Sequence, residues 1–185
     1  MVFDLETQRS AAEVGGWGQA HRMGISLAVC WDSLLEEFVT YREEQVQELL
    51  GHLQRADLVV GFNLLGFDYA VLRGCVPFDH HRLNTLDILR ELQLRLNHRV
   101  SLDALARATL QAPKLGDGLQ ALQWWKEGRL TELEEYCRQD VRVTRDLFRH
   151  GLEHGHLFFD RKDGGRAQVQ VDWKLDALMA RRPRA

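Results

Sequence analysis

The chain has 185 residues, 45% of them hydrophobic and 28% charged, which is near the average for soluble globular domains and enough for one hydrophobic core without disulfides or a structural metal. No apolar run reaches the roughly 18 residues of a membrane span, no basic segment followed by an apolar one opens the chain, and Cys30, Cys75 and Cys137 form no CxxC pair. A soluble protein in a reduced, cytoplasmic setting is therefore expected, while the formal charge of −3 speaks against gripping nucleic acid by phosphate neutralisation alone.

In chain order, Val2 to Leu5 reads as a short strand, followed by a glycine-rich loop at Gly15, Gly16 and Gly18. Gly24 to Trp31 and Glu37 to Tyr41 read as two further strands separated by polar turn residues. From Glu43 to Arg55, the spacing of Val46, Leu49, Leu50 and Leu53 predicts an amphipathic helix, and Leu58, Val59, Val60 and Gly61 then form a buried strand. A helix is expected over Leu65 to Arg73 and a strand over Leu83 to Leu89. Helical spacing returns at Ser101 to Leu110, Leu119 to Glu127 and Thr131 to His150, where Leu133, Cys137, Val141, Thr144 and Phe148 share one face. Leu157 to Asp160 and Ala167 to Trp173 flank Lys162, Asp163, Gly164 and Gly165, a composition suited to a β-hairpin. The prolines Pro77, Pro113 and Pro183 mark local breaks, so one α/β domain with a mixed sheet is expected over residues 1–185, its core about 1–155 and a C-terminal hairpin and basic tail about 156–185.

Three places carry candidate chemistry. In FDLET, Asp4 and Glu6 stand two apart, so on a strand both carboxylates project from one face, where they repel unless a cation lies between them. In GFNLLGFD, Asp68 follows a buried strand and stands about a turn into a helix, beside the sheet edge where ligands collect in α/β folds. In YCRQD, Tyr136 and Asp140 are i and i+4 on a helix and border its inward stripe. Each alone has a plain structural reading: solvated surface acids, an Asp favoured by the helix dipole with Asn63 as cap, an interfacial tyrosine bonded to an aspartate. Together they are the few carboxylates that two-metal phosphoryl transfer needs to hold two divalent ions about 3.5–4 Å apart.

In that order and spacing, the sequence resembles the DEDD exonuclease superfamily, whose ribonuclease-H-like fold carries Asp-x-Glu, then Asn-x3-Phe-Asp, then Tyr-x3-Asp or His-x4-Asp. Glu135 stands where the histidine branch has its histidine, which selects the tyrosine branch. TLDIL at Thr85 to Leu89, SLDALA at Ser101 to Ala106 and DGLQALQWWKEG at Asp117 to Gly128 are similar to YprB-type exonuclease domains, some of which accompany helicases. The resemblance implies a 3′-5′ exonuclease acting on DNA or RNA with a free 3′ end. It implies Asp4, Glu6, Asp68 and Asp140 as ligands of two Mg²⁺ or Mn²⁺, Tyr136 as the residue that orients the attacking water, and Asn63 as a substrate contact. A non-catalytic nucleic-acid-binding or scaffold module and a ribonuclease-H-type endonuclease are the alternatives. Two divalent ions would offset the charge of −3 and leave the loaded protein slightly positive.

Other features point elsewhere. His150, His154 and His156 are expected to face water at a helix end, His80 and His81 to do no better as ligands, and Asp146 to lie off the face of Asp140. Gly15, Gly16 and Gly18 lack the third glycine and the helix of a dinucleotide fingerprint, leaving a loop whose Trp17 is placed to stack on a base. Trp124 and Trp125 point about 100° apart, so one is expected in the core and the other toward substrate or a partner.

Overall fold

The computed structural model describes residues 1–112, 118–161 and 164–181. Pro113, Asp117, Lys162, Asp163 and Pro183, with Arg182 and Arg184 of the expected basic tail, lie outside the described residues.

The first strand, β1 (Val2–Thr7), alternates strictly. Phe3 and Leu5 enter one apolar cluster and Val2 enters another on the opposite face, so Asp4 and Glu6, in phase with Val2, face that second side. β2 (Ile25–Asp32) pairs antiparallel with β1, placing Val29 opposite Asp4 and Leu27 opposite Glu6, and β3 (Glu37–Tyr41) pairs antiparallel with β2. β4 (Val59–Gly61) lies parallel to β1, and β5 (Thr85–Asp87) parallel to β4. The spatial order is β3-β2-β1-β4-β5, a mixed sheet whose two faces are both covered.

One face packs on α2 (Val46–Arg55) and α3 (Asp68–Cys75), through Leu49 and Leu53 from the first helix and Val71 and Leu72 from the second. The glycine-rich segment between β1 and β2 is not an open loop. Ser10 caps a short helix, α1 (Ala11–Val14), in a reciprocal capping box with Glu13, and Gly15 ends it at φ 96°. A 3₁₀ turn over Trp17–Arg22 follows and packs against α3. The contact is backbone against backbone, since a Cβ on Gly74 would sit 1.7 Å from the carbonyl oxygen of His21.

The expected strand over Leu83 to Leu89 is shorter than its apolar pattern suggests. Asp87 is both the last strand residue and the N-cap of a helix, α4 (Ile88–Leu96), accepting from the Arg90 N–H. A strand that turns into a helix without an intervening loop leaves no turn residues to read. The helix expected over Ser101 to Leu110 is α5 (Leu102–Leu105), capped by Ser101, running on into a π-helical turn, Ala106–Leu110.

The other face of the sheet is covered by α7 (Leu130–His154), flanked by α6 (Gly118–Lys126). Leu133, Cys137, Val141, Thr144, Leu147 and Phe148 form its buried stripe, each large apolar side chain contributing about 1.5–3 kcal/mol by leaving water. Gly155 ends the helix at φ 70°. The chain then forms the hairpin β6 (His156–Asp160) and β7 (Arg166–Gln170) and a short helix, α8 (Leu175–Met179), which the hydrophobic pattern did not reveal. Thr109 of the π turn donates its hydroxyl to the Phe158 carbonyl and accepts the Phe158 N–H. Leu157, Val169, Trp173 and Leu178 join the cluster beneath α7. Among the described residues no helix is long and apolar enough to cross a membrane.

Candidate active site

Four carboxylates converge where β1, α3 and α7 meet. Asp4 and Glu6 rise from β1 toward α7, with carboxylate oxygens within 4.8 Å of each other and of the Cys137 sulfur. Cys137, on the inward stripe of α7, brings its Sγ to 3.6 Å from Asp4 Oδ2. One turn along the same helix stands Asp140, close enough that its charge adds to the shifts of Asp4 and Glu6, and Tyr136 lies one turn before it on α7. Asp68 enters from the other side, where its Oδ1 accepts the Leu5 backbone N–H at 3.3 Å. It is the first residue of α3, not a turn inside it as its position in the sequence suggests. There the helix dipole and the β1 amide hold its carboxylate beside the strand.

The electrostatics follow from burial of like charges. Burial raises the pKa of Asp4 well above the ordinary carboxylate range, with repulsion from Asp68, Asp140 and Glu6 adding to it. Burial likewise raises Glu6, with Asp140 and Asp68 adding. Burial lifts Asp68 to about 7 against the pull of backbone hydrogen bonds, and Asp140 to about 6 against that of Tyr136. Tyr136 moves up too, first by burial and then by the negative charge of Asp140, Glu6 and Asp4. Asp140 Oδ1 is buried without a hydrogen-bond partner. One buried and three half-buried acids whose charges oppose one another, with an orphaned carboxylate oxygen on Asp140, suit a divalent cation, which takes hard oxygen ligands.

Asn63 does not join this cluster. It adopts φ 72° in the β4–α3 loop, a left-handed conformation that asparagine tolerates, and its carbonyl accepts the Gly66 and Phe67 N–H groups. Its side chain does not cap α3, whose N-cap is Phe67 without a side-chain bond, and its Oδ1 instead accepts from Arg99 at 3.4 Å. The residue that shapes this loop is Asp87, to which the sequence reading gave no role. Buried at the end of β5, Asp87 accepts the Asn63 and Arg90 N–H groups on Oδ1 and the Leu65 N–H on Oδ2, the two loop bonds at 2.9 Å. Its only sequence signal is an acid immediately before a helical apolar pattern, obscured by the strand it also ends.

Two aromatic groups border the carboxylates. Trp17 is 74% exposed and meets Phe67, the neighbour of Asp68, edge to face at 5.9 Å. Trp124 meets Tyr136 at 6.1 Å with Arg129 over its ring. Trp124 and Trp125 are both half-buried against the core, so neither is the fully internal one expected. Asp146 pairs with Arg145 at 2.9 Å. The rings of His150 and His154 lie 4.2 Å apart at the end of α7, with His156 nearby.

A mixed five-stranded sheet between helical layers, with acids gathered on its first strand and on the helix that crosses it, is the ribonuclease-H-like architecture. A family model of the RNase_H superfamily matches residues 1–151, and the chain belongs to that superfamily. Membership points to nuclease chemistry on nucleic acid and to divalent metals as its aid. Comparison with curated proteins finds no match.

Proposed function

We propose that the protein is a metal-dependent 3′-5′ exonuclease of the tyrosine branch of the DEDD group, hydrolysing terminal phosphodiesters of DNA or RNA. The observation that supports this reading is the pair Asp4 and Glu6, with carboxylate oxygens within 4.8 Å of each other on β1, flanked by Asp68 on the Leu5 N–H and by Asp140 on α7, whose charges add to their shifts. Asp4, Glu6 and Asp140 would hold one divalent ion and Asp4 with Asp68 the other, Mg²⁺ or Mn²⁺. When bound, the ions supply charge neutralisation at the scissile phosphate and acidification of a water molecule.

The chain's own groups do the rest. Tyr136 keeps its proton at neutral pH, because burial and three nearby acids oppose its ionisation; its hydroxyl therefore orients the attacking water and is not a base. Cys137 fills the space between α7 and Asp4 and limits the rotamers of that carboxylate. Trp17 and Phe67 offer an aromatic platform for the terminal base beside Asp68. The free cysteines are in keeping with a cytoplasmic protein, and a helicase is the kind of partner that would deliver a single strand.

The test is incubation of 5′-labelled single-stranded and duplex DNA and RNA with Mg²⁺, Mn²⁺ or EDTA, beside Asp4→Ala. The expected outcome is a metal-dependent ladder that shortens from the 3′ end and is lost in the variant. Internal cuts would instead make the protein an endonuclease, and identical products from wild type and Asp4→Ala would remove catalysis from this cluster.

A further inference from the structure

Beyond the β4–α3 loop lies an open trough of about 710 Å³. Its lining includes Asn63, Leu65 and Gly66, the loop residues that precede Asp68 in the chain, so the trough neighbours the segment that delivers Asp68. Its flank carries Arg90 on α4, Arg99 beyond that helix and Arg181 after α8, with His80 and His81 on the facing turn.

The charge balance of this trough is unlike that of the chain as a whole. Asp87 is the sole acid among its lining residues, and its two oxygens are turned inward onto three backbone N–H groups. Among the described residues Arg99 bonds the neutral oxygen of Asn63 at 3.4 Å and no carboxylate. Arg181 is paired with Glu91 at 3.5 Å, and both side chains stay partly exposed, an ion pair of little strength. Arg90 and Arg99 are both exposed to solvent. Guanidinium groups held along an open trough, with few acids to neutralise them, suit the phosphate oxygens of a polyanion.

We infer that this trough holds the phosphodiester backbone of the substrate strand on the side away from its scissile end, with Arg90 and Arg99 as phosphate contacts. The inference rests on the nuclease reading and extends it from the reacting phosphate to the strand behind it. The trough is lined by guanidinium groups and lacks exposed aromatic rings other than imidazoles, so it tracks backbone and does not read bases.

The experiment measures binding and cleavage separately. Fluorescence anisotropy of 5′-labelled 20-nucleotide oligodeoxythymidylate and oligouridylate in Ca²⁺ gives affinity across a salt series, and the same two oligonucleotides in Mg²⁺ give cleavage, each outcome below being read on whichever polymer the wild type binds or cleaves. Arg90→Ala/Arg99→Ala should weaken binding roughly tenfold at moderate salt and lower the slope of log K against log salt by about 1.4, since each phosphate contact on a single strand contributes about 0.7. Arg90→Lys/Arg99→Lys should keep the slope. Arg55→Ala, which removes one charge from another cavity, should leave it unchanged. An unaltered slope in the double alanine variant, with cleavage by the wild type intact, overturns the trough and spares the nuclease reading. Binding that depends on both arginines without cleavage in Mg²⁺ keeps the trough and overturns the nuclease reading. Absence of both binding and cleavage in the wild type overturns both.

Discussion

Asp87 shows how one buried side chain sets the position of another. Its two oxygens receive three backbone N–H groups from the loop that ends in Asp68 and from the start of α4. Removing it takes the acceptor from three part-buried donors, at a cost that reaches about 1–3 kcal/mol for a group that water cannot reach and is less where water can. Asp87→Asn keeps one carbonyl acceptor and turns an amide donor toward the Leu65 N–H or the Asn63 N–H. Asp87→Asn should therefore lower thermal stability modestly and kcat about tenfold or more, with KM for an oligonucleotide little changed. Asp87→Glu, which restores both acceptors on a longer stem, should recover part of kcat. Loss of stability with kcat intact would reduce Asp87 to a structural N-cap. Asp4, Glu6, Tyr136 and Asp140 were legible in the sequence because strand and helix periods put them on definite faces. Asp87 was not, because its partners are backbone groups that leave no residue pattern.

Among the described glycines, Gly74 of α3 has the tightest surroundings. A methyl group on Gly74 would meet the His21 carbonyl oxygen at 1.7 Å and its carbon at 2.6 Å, atoms of the backbone that cannot swing aside. Gly74→Ala should thus push α3 from the 3₁₀ turn and destabilise the protein by about 1–3 kcal/mol, as overpacking does. Because α3 begins with Asp68, nuclease activity should fall as well. Urea unfolding gives the first quantity and oligonucleotide hydrolysis the second; an unshifted urea midpoint would mean that the turn does not press on α3 in solution. The long helix α7 was readable from its stripe of Leu133, Cys137 and Val141, whereas α4 was hidden. Leu86, Ile88 and Leu89 are apolar in both the strand and the helix that share this stretch, and no glycine or proline separates the two. The 3₁₀ turn after Gly16 was missed for the opposite reason, since its glycines read as loop while tertiary contact with α3 orders it.

For the whole molecule, the acid cluster makes stability depend on pH and on metal together. Asp4 and Glu6 are raised well above the ordinary range, Asp68 to about 7 and Asp140 to about 6. A carboxyl whose pKa is higher folded than unfolded stabilises the fold fully below its unfolded value, and that contribution is lost as pH rises through the folded one. Without metal, the melting temperature should fall between pH 5 and pH 8. Asp32 acts in the opposite direction: burial pushes its pKa up, but hydrogen bonds from His52 and from the Leu34 and Leu35 N–H groups outweigh it and leave it lowered. Its contribution is lost only in acid, as pH falls below about 4. Mn²⁺ or Mg²⁺ should raise the melting temperature by several degrees at pH 8 and by much less at pH 5, where protons already occupy the carboxyls. A thermal-shift series in EDTA and in metal checks this, and an equal effect at both pH values would remove the carboxylates from metal binding.

The contact between Cys137 and Asp4 carries one further consequence, for oxidation. Burial and the surrounding acids hold this thiol far from ionisation, and peroxide and alkylating reagents attack the thiolate. While α7 rests on β1 the sulfur is inert, in contrast to Cys75, half-buried with its pKa raised only to about 11. Damage at Cys137 has to pass through a separation of the helix from the strand, so whatever holds the four acids together also guards the sulfur between them.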